Sequence, residues 1–516
     1  MFEVKFMMID RSSEWKEGLI ERLENREPWD NWTLYQMNYE VVKTNLISDF
    51  SGLQSPKYLP NLTPLEHQLD VAETVIERMN GKAILADEVG LGKTIEAGLI
   101  LKEYLIRGLV KKALILAPAS LINQWAEELN QKFYIPAIPY RKNTSLDHYN
   151  VIVMSMDTAK KSPHKEHIYA QDYDMIIIDE AHKLKNHKTK NYEFVQGLKK
   201  KFCLLLTATP IQNNVFELFH LISLLKPGHL GNYETFQSSF SASKHNWEHD
   251  EYLKELVNQV MVRNRRQDTG IDWTTRKVQT ILVQFTQAEQ EVYDLILELK
   301  HISPVFSGAF SMITLQKEMC SSKEATYLTL NKMRQKCTAP EEIAHVEEII
   351  QRLMVLEINA KAEKAYEIIQ QANDKVILFT EYRASQVYLQ WFLHQKGITS
   401  VLFNGQFKKS KRDWMKHLFK NHAQVLIATE SGGEGINLQF CHHVINYDLP
   451  WNAMKLEQRI GRVHRLGQEH DVHIYNLAIE NTIEDDILKL LHTKIDVFEK
   501  AVGNLDDILS SFKQTI

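Results

Sequence analysis

The sequence predicts two α/β domains, each built on a parallel sheet, with a helical insertion between them and a helical tail after the second. Three observations predict this. Short apolar runs rich in β-branched residues recur in two sets. Stretches of helix length, with apolar residues at three- and four-residue steps, lie between the members of each set. Residues 226–355, between the sets, lack such runs.

The N-terminal segment, 1–56, is mixed in character, carries Trp15, Trp29 and Trp32, and is expected to form a small accessory layer. The first domain, 57–225, draws its strands from KAILA (82–86), KALILAP (112–118), VIVMS (151–155), MIIID (175–179) and CLLLTAT (203–209). TIEAGLILKEYLIRG (94–108) and SLINQWAEELNQKF (120–133) read as its crossover helices. Within 226–355, TQAEQEVYDLILELK and EEIAHVEEIIQRLMVLE mark a helical insertion. The second domain, 356–490, repeats the pattern with KVILFT (375–380), TSVLFNG (399–405), QVLIAT (424–429), HHVINYD (442–448) and DVHIYNLAI (471–479). Its helices are ASQVYLQWFLHQK, SKRDWMKHLFKN and NAMKLEQRIGRVHR, and the tail, 491–516, reads as helical.

At 516 residues the chain is too long for one ordinary domain, and 44% hydrophobic with 25% charged residues is a normal globular balance. No apolar run reaches the roughly 18–20 residues of a membrane span. The start, MFEVKFMMIDRSSEWKEGL, meets charge too early for a secretory leader. Cys203, Cys320, Cys337 and Cys441 are scattered without a C-x-x-C pair, so they read as reduced, buried thiols of a cytoplasmic protein rather than zinc ligands. The net charge of −5 does not announce a nucleic-acid partner, but cations cluster locally. Residues 182–201 hold seven lysines against Glu193, VRNRR (262–266) three arginines and FKKSKRDWMKHLFK (407–420) six cations. Each run alone fits a solvated helix face, and together they point to an anionic ligand.

Residues 86–94, ADEVGLGKT, end as a phosphate-binding loop ends, but Asp87 stands where that pattern opens with glycine. The context is right: KAILA is a buried strand, and a helix begins at Thr94. Gly90 and Gly92 allow the backbone close to an anion, Lys93 reaches β/γ oxygens, and the Thr94 hydroxyl suits Mg²⁺. MIIIDEAH (175–182) puts Asp179 at the carboxyl end of a strand for metal coordination, and Glu180 beside it to orient and deprotonate water. Upstream, LTPLEHQ offers Gln68, whose amide fits an adenine edge. In the second domain SGGEGINLQ (431–439) is glycine-rich. QRIGRVHRLGQ (458–468) spaces Gln458, Arg462 and Arg465 by four and three, one face if helical. That domain has no phosphate loop, so its arginines serve the first domain's nucleotide.

Taken in order, ADEVGLGKT, DEAH, LTATPIQN (206–213), the glycine-rich stretch and QRIGRVHRLGQ resemble the motifs of superfamily-two helicase-like ATPases. In wording they resemble the Swi/Snf family of double-stranded-DNA translocases, whose loop begins with Asp-Glu. The resemblance covers about 57–490 and implies two tandem RecA-like domains using ATP and Mg²⁺. It implies that Gln68 recognises adenine, Lys93 the phosphates, and Thr94 with Asp179 the metal. Glu180 would activate water and His182 couple the box to motion. Thr207 and Thr209 would link hydrolysis to domain movement. Arg462 and Arg465 look like arginine fingers with Gln458 as interface partner, and Gly433 and Glu434 face ATP and DNA. LEHQ and the compact C-terminus resemble the bacterial RNA-polymerase-recycling group, although the chain has no room for that group's large N-terminal polymerase-binding modules.

The expected activity is ATP-driven translocation on double-stranded DNA without strand separation, remodelling protein–DNA complexes. Phosphate grips would lie near 183–201, 263–266 and 408–420. Protein partners would supply targeting, RNA polymerase among the candidates, and no membrane is involved. The competing readings are a true helicase or RNA-dependent ATPase of the same superfamily, a polymerase-associated recycling factor, and a nucleotide-binding scaffold without turnover.

Overall fold

In the computed structural model, the described residues are 17, 20–22, 24–25, 31–33, 35–38, 52–141, 144, 146–208, 210, 216–241, 251–302, 309–405, 407, 409–429 and 438–491. They fall into two units, Met1–Gly52 and Leu53–Ile516. In the first, the described residues are mainly helical and Trp32 stacks on Tyr35 at 5.3 Å. Most of the expected accessory segment and all of the tail beyond residue 491 lie outside the described residues.

The second unit contains two parallel sheets. The first has seven strands: β1 Lys82–Leu85, β2 Ala113–Ala117, β3 Ala137–Pro139, β4 Val151–Ser155, β5 Met175–Asp179, β6 Phe202–Leu206 and β7 Met261–Val262. Their order is β3-β4-β2-β5-β6-β1-β7. The second has six: β8 Arg276–Val283, β9 Val376–Thr380, β10 Ser400–Phe403, β11 Val425–Thr429, β12 His443–Asn446 and β13 Val472–Ile479, in the order β10-β11-β9-β12-β13-β8. Every residue of β2, β4, β6, β9, β11 and β12 is buried, because helices cover both faces of each sheet. Each fully buried Ile, Leu or Val contributes about 1.5–3 kcal/mol over its exposed state, which is why these runs choose the sheet interior.

Register fixes where chemistry gathers. Leu85 of β1 and Asp179 of β5 both lie opposite Leu206 of β6, so the three strands end in line. The segments that follow them are the phosphate loop, the acidic box and Thr207, and they share one carboxyl edge. Thr207 is buried there, and its N–H donates to Leu85 O at 3.0 Å.

The stretch 226–355 is not free of strands. β7 closes the first sheet against β1, and β8 pairs along its whole length with β13 in the second. These edge strands escaped the apolar-run criterion for a physical reason. β8, RKVQTILV, leaves most residues partly exposed, so polar residues alternate through it. β7 is two residues long and runs into VRNRR. β3 was missed likewise, as a three-residue edge strand ending in proline. Among the described residues of the stretch, the longer elements are helices, as expected. Gln287–Ile302, Ala309–Ser321, Lys323–Arg334 and Pro340–Val355 share a core that includes Val283 of β8 and Ile479 of β13. The four cysteines are free and buried.

A polar knot ties this helical bundle to the second sheet. Asp448 Oδ2 accepts from Ser321 Oγ at 3.0 Å, Thr380 Oγ1 at 2.6 Å and the Glu381 N–H at 2.9 Å. The Lys361 ammonium, 1% exposed, lies 2.6 and 2.8 Å from the two Glu484 oxygens and 3.7 Å from Asp448 Oδ1. Replacing Lys361 by Met would leave two buried carboxylates without their cation. Lys361→Met is expected to cost about 3–5 kcal/mol in urea unfolding, with part regained by adding Glu484→Gln. A midpoint unchanged in the single variant would show that the knot contributes little.

Candidate active site

The phosphate loop takes its shape from two left-handed glycines. Gly90 has φ +101° and Gly92 φ +99°, and Gly92 caps the helix Lys93–Ile106. A Cβ on Gly92 would stand 2.5 Å from Gln68 Nε2. Gln68 is buried; its Nε2 donates to Leu91 O at 2.8 Å and its Oε1 accepts from the Leu65 N–H at 3.1 Å. The adenine candidate thus sits against the loop itself. Lys93 Nζ donates to Asp87 O at 2.5 Å and Glu88 O at 3.2 Å, capping loop carbonyls that an arriving phosphate would replace.

Asp87, the residue in place of the expected glycine, turns its side chain to Asn264. Its carboxylate is fully buried, Oδ1 accepting the Asn264 N–H at 2.8 Å and Oδ2 the Asn264 Nδ2 at 3.0 Å. Glu88 Oε2 accepts the Arg266 N–H at 3.1 Å. The strand β7 is therefore fastened to the loop by side chains as well as by the sheet.

Asp179 ends β5. Trp125 Nε1 donates to its Oδ2 at 2.9 Å and the Glu180 N–H to its Oδ1 at 2.8 Å. Burial and the Glu180 charge push its pKa up to about 6, against the opposing pull of Trp125 and Lys93. Glu180 adopts φ +53°, a left-handed conformation uncommon for a residue with a side chain. Its Oε2 lies 3.0 Å from His182 Nδ1. Burial raises its proton affinity, but pairing with His182 and the charges of His182, Arg462 and Lys93 outweigh that and hold it below the usual range.

The second sheet delivers its residues to the same place. The helix Ala453–Ile460 stops at Gly461, and a Cβ there would collide with Val89 Cγ1 of the phosphate loop. Arg465 Cα stands 3.7 Å from where a Cβ on Gly90 would be, and Arg465 Nε donates to Gly461 O at 2.5 Å. Burial and the Arg462 charge push the Arg465 pKa down to about 10, while Glu128 of the first lobe opposes them. Buried Arg266 spans the junction, its Nη2 donating to Val89 O and, at 3.4 Å, to His464 O. His464 is kept neutral, its pKa lowered to about 4 by burial and Arg276. Arg276 Nε donates to its Nδ1 at 2.6 Å, and its Nε2 lies 2.9 Å from Thr274 O. Beside this junction, a cleft of about 600 Å³ is lined by Asp179, Glu180 and Lys183 from the first lobe and Arg383 and Arg412 from the second.

Comparison with known proteins identifies the arrangement. Residues 67–342 match the SNF2-related domain and residues 360–467 the helicase conserved C-terminal domain. The chain belongs to the SNF2 family. This SNF2 chain is 58% identical over 504 residues to the uncharacterized ATP-dependent helicase YqhH of Bacillus subtilis (strain 168), covering 97% of this chain and 90% of that protein. It is 27% identical over 489 residues to the RNA polymerase-associated protein RapA of Proteus mirabilis (strain HI4320), covering 84% of this chain and 50% of RapA, so it spans about half of that relative. Its fold is shared with the helicase domain of Pyrococcus furiosus Hef, at 18% identity and a TM-score of 0.51, over 82% of this chain and 97% of that one. The protein is an ATP-hydrolysing enzyme of the helicase type, built on tandem RecA-like domains.

Several expectations need correction within this SNF2 framework. Gln458, Arg462 and Arg465 do not share a helix face. The helix ends at Ile460, and the turns that follow Gly461 carry both arginines. Gln458 is half-buried on the helix, while Arg459 is buried, donating to Asn446 Oδ1 at 3.2 Å and Asp448 O at 2.8 Å. The 263–266 run is not an open cationic grip, since Arg265 pairs with Asp268 at 2.9 Å and Arg266 is internal. Of the lysines at 183–201, Lys185 is buried against Glu217 at 3.3 Å, whereas Lys183, Lys188, Lys190, Lys199 and Lys201 are exposed. Thr209, Gly433 and Glu434 lie outside the described residues.

Sequence reasoning missed Trp125, Arg266 and the Val89–Gly461 contact. Trp125 had read as an apolar position of an amphipathic helix, and nothing local marks its indole N–H as the partner of Asp179. Phe at position 125 would remove a donor that lowers the Asp179 pKa. If Asp179 acts as the carboxylate, as the sequence leads one to expect, turnover falls as pH drops through its pKa. Trp125→Phe is therefore expected to move the acidic limb of the ATPase pH profile upward, with the deficit shrinking at higher pH. A deficit that stays constant from pH 6 to pH 9 would leave Trp125 with a packing role only.

Proposed function

We propose that this SNF2 ATPase is a cytoplasmic translocase on double-stranded DNA that remodels protein–DNA complexes without separating strands. The observation that carries this reading is the cleft in which Lys183 of one lobe faces Arg383 and Arg412 of the other, beside the acidic box. Cations on two bodies that move relative to each other suit a polyanion gripped by its phosphates, which gives little base specificity.

In this reading ATP lies on the phosphate loop. Gly90 and Gly92 let backbone N–H groups approach the phosphates, Gln68 takes the adenine edge, and Lys93 leaves the Asp87 and Glu88 carbonyls for the β/γ oxygens. A hydroxyl from Thr94 and a carboxylate from Asp179 form an oxygen donor set that fits Mg²⁺. Both Asp179 oxygens already accept one hydrogen bond, which favours contact through water. The metal, when bound, neutralises charge on the β- and γ-phosphates. Glu180 orients and deprotonates the attacking water, while Arg462 and Arg465 meet the negative charge that develops on the transferring group. Gln458 supports that interface and His182 reports on it through Glu180. Hydrolysis and release reopen the lobes, and alternating grip moves the enzyme along the duplex.

Glu180→Gln is expected to keep ATP binding and lose about 10²–10⁴ in turnover. Lys93→Ala should weaken nucleotide binding itself. Arg462→Ala or Arg465→Ala should cut DNA-stimulated turnover by up to about 10³–10⁵ with less effect on ATP affinity. Equilibrium nucleotide binding beside steady-state turnover separates these effects, and recovery of the arginine variants at saturating DNA would remove the finger roles.

Substrate choice has its own test. ATP turnover should rise with duplex DNA of any sequence and fall steeply with salt, triplex displacement should occur, and a plain fork should stay annealed. Stimulation by RNA or single strands alone, or fork unwinding without triplex displacement, would favour the helicase or RNA-dependent reading. The likeness to RapA favours a transcription complex as the object remodelled, so stalled RNA polymerase is the protein–DNA complex to place in its path.

A further inference from the structure

At the base of the phosphate loop, three acceptor groups converge without a donor among them. His67, Asp87 and Glu96 are all buried, and one ligand atom from each lies within 4.8 Å of the other two. Glu96 is completely buried, its carboxylate oxygens meet no donor and lie within hydrogen-bonding reach of the Asp87 carboxylate, and His67 Nδ1 is buried without a partner. A buried carboxylate with no partner is among the costliest arrangements a fold can hold, so this cluster requires a cation or a shared proton.

The surroundings favour the cation. His67 Nε2 lies 3.2 Å from Leu91 O. A hydrogen bond there puts the ring proton on Nε2 and leaves Nδ1 with its lone pair free. That is the habit of metal-binding imidazoles, which direct the other ring N–H to a backbone carbonyl. Asp87 is oriented by two donors from Asn264, at 2.8 and 3.0 Å, as ligating carboxylates are, and each oxygen keeps a further lone pair.

We propose that His67, Asp87 and Glu96 bind one divalent transition-metal ion, of the zinc or manganese class, as a structural pin. One imidazole nitrogen and two carboxylates form a mixed N/O set suited to such ions. Both Glu96 oxygens are available, so four donors come from protein alone. The three ligands stand on three segments: the helix Glu66–Glu77 that carries Gln68, the start of the phosphate loop, and the helix Lys93–Ile106 that follows it. An ion here would hold the adenine and phosphate elements in register before nucleotide arrives.

The test needs no ATPase assay. The full chain is unfolded in chelator, refolded with Zn²⁺, Mn²⁺ or chelator alone, desalted, and measured for bound metal and melting temperature. About one ion per chain is expected, with a melting temperature raised by at least a few degrees over the chelator sample. Glu96→Gln brings N–H donors to the remaining acceptors, so it should fold without metal, bind none, and melt alike in all three conditions. His67→Gln should also lose the ion. Wild type that refolds without stoichiometric metal and melts alike in all three conditions would overturn the proposal in favour of a shared proton. Retention of metal by both variants would assign it to another site and overturn the proposal equally.

Discussion

The Asp87 carboxylate, closed off from water at the start of the phosphate loop, takes both donors of Asn264, and much of the site's geometry depends on those two hydrogen bonds. They hold the chain just after β7 against the chain just after β1. Two residues later that chain presents Arg266, which donates to Val89 of the loop and to His464 of the second lobe. Glycine, the residue a phosphate loop normally carries at this point, offers no such anchor. The substitution exchanges backbone freedom at one loop position for a fixed route between lobes. Freedom is retained where the loop must bend, at Gly90 and Gly92.

This linkage explains why the second lobe meets the loop through backbone as much as through charge. Val89 packs where a side chain on residue 461 would stand, and His464 O accepts from Arg266 rather than from solvent. His464 in turn is locked as a neutral ring between Arg276 and Thr274, and Arg276 pairs with Glu457 at 3.3 Å. Arg276 begins β8, so the strand at the edge of the second sheet positions the segment that carries Arg462 and Arg465. A strand lying in the sequence between the two apolar sets thus belongs to the machinery of the cleft.

What could be read from residues alone follows from how locally each feature is determined. The central strands announced themselves because a strand buried on both faces tolerates only apolar side chains, as in MIIID and KVILFT. The loop and the acidic box were legible because phosphate and metal chemistry need particular residue types at short spacing. Edge strands were not, since β8 faces water on many of its residues and its polar positions look like any exposed segment. Long-range pairs were hidden for a different reason: Asp87 finds Asn264 177 residues away, and no spacing rule connects them. The resemblance to the Swi/Snf family made Asp87 expected, but the geometry supplies the cause. Arg266 shows the opposite error, where a run of like charge suggested a surface and burial placed one member inside. The helical face drawn through Gln458, Arg462 and Arg465 failed at Gly461, whose missing side chain is what Val89 needs.

The two adjacent acids show how one strand end can divide labour. Asp179 is pushed up to about 6 by burial and by its neighbour, whereas Glu180 is held below its usual range by His182, Arg462 and Lys93 against the effect of burial. Groups moved apart in this way take different tasks. A carboxylate so firmly ionised is a weak proton acceptor. In the proposed reaction Glu180 therefore acts more by orienting water than by its basicity, with full proton transfer following as charge grows on the γ-phosphate. The positive φ at Glu180 fits that role, because it turns one carboxylate toward the histidine and the opposing lobe while Asp179 stays bound to Trp125. Part of what holds Glu180 ionised is Arg462, a residue of the other lobe. The electrostatics of the proposed water-orienting group are thus set in part by the opposing lobe.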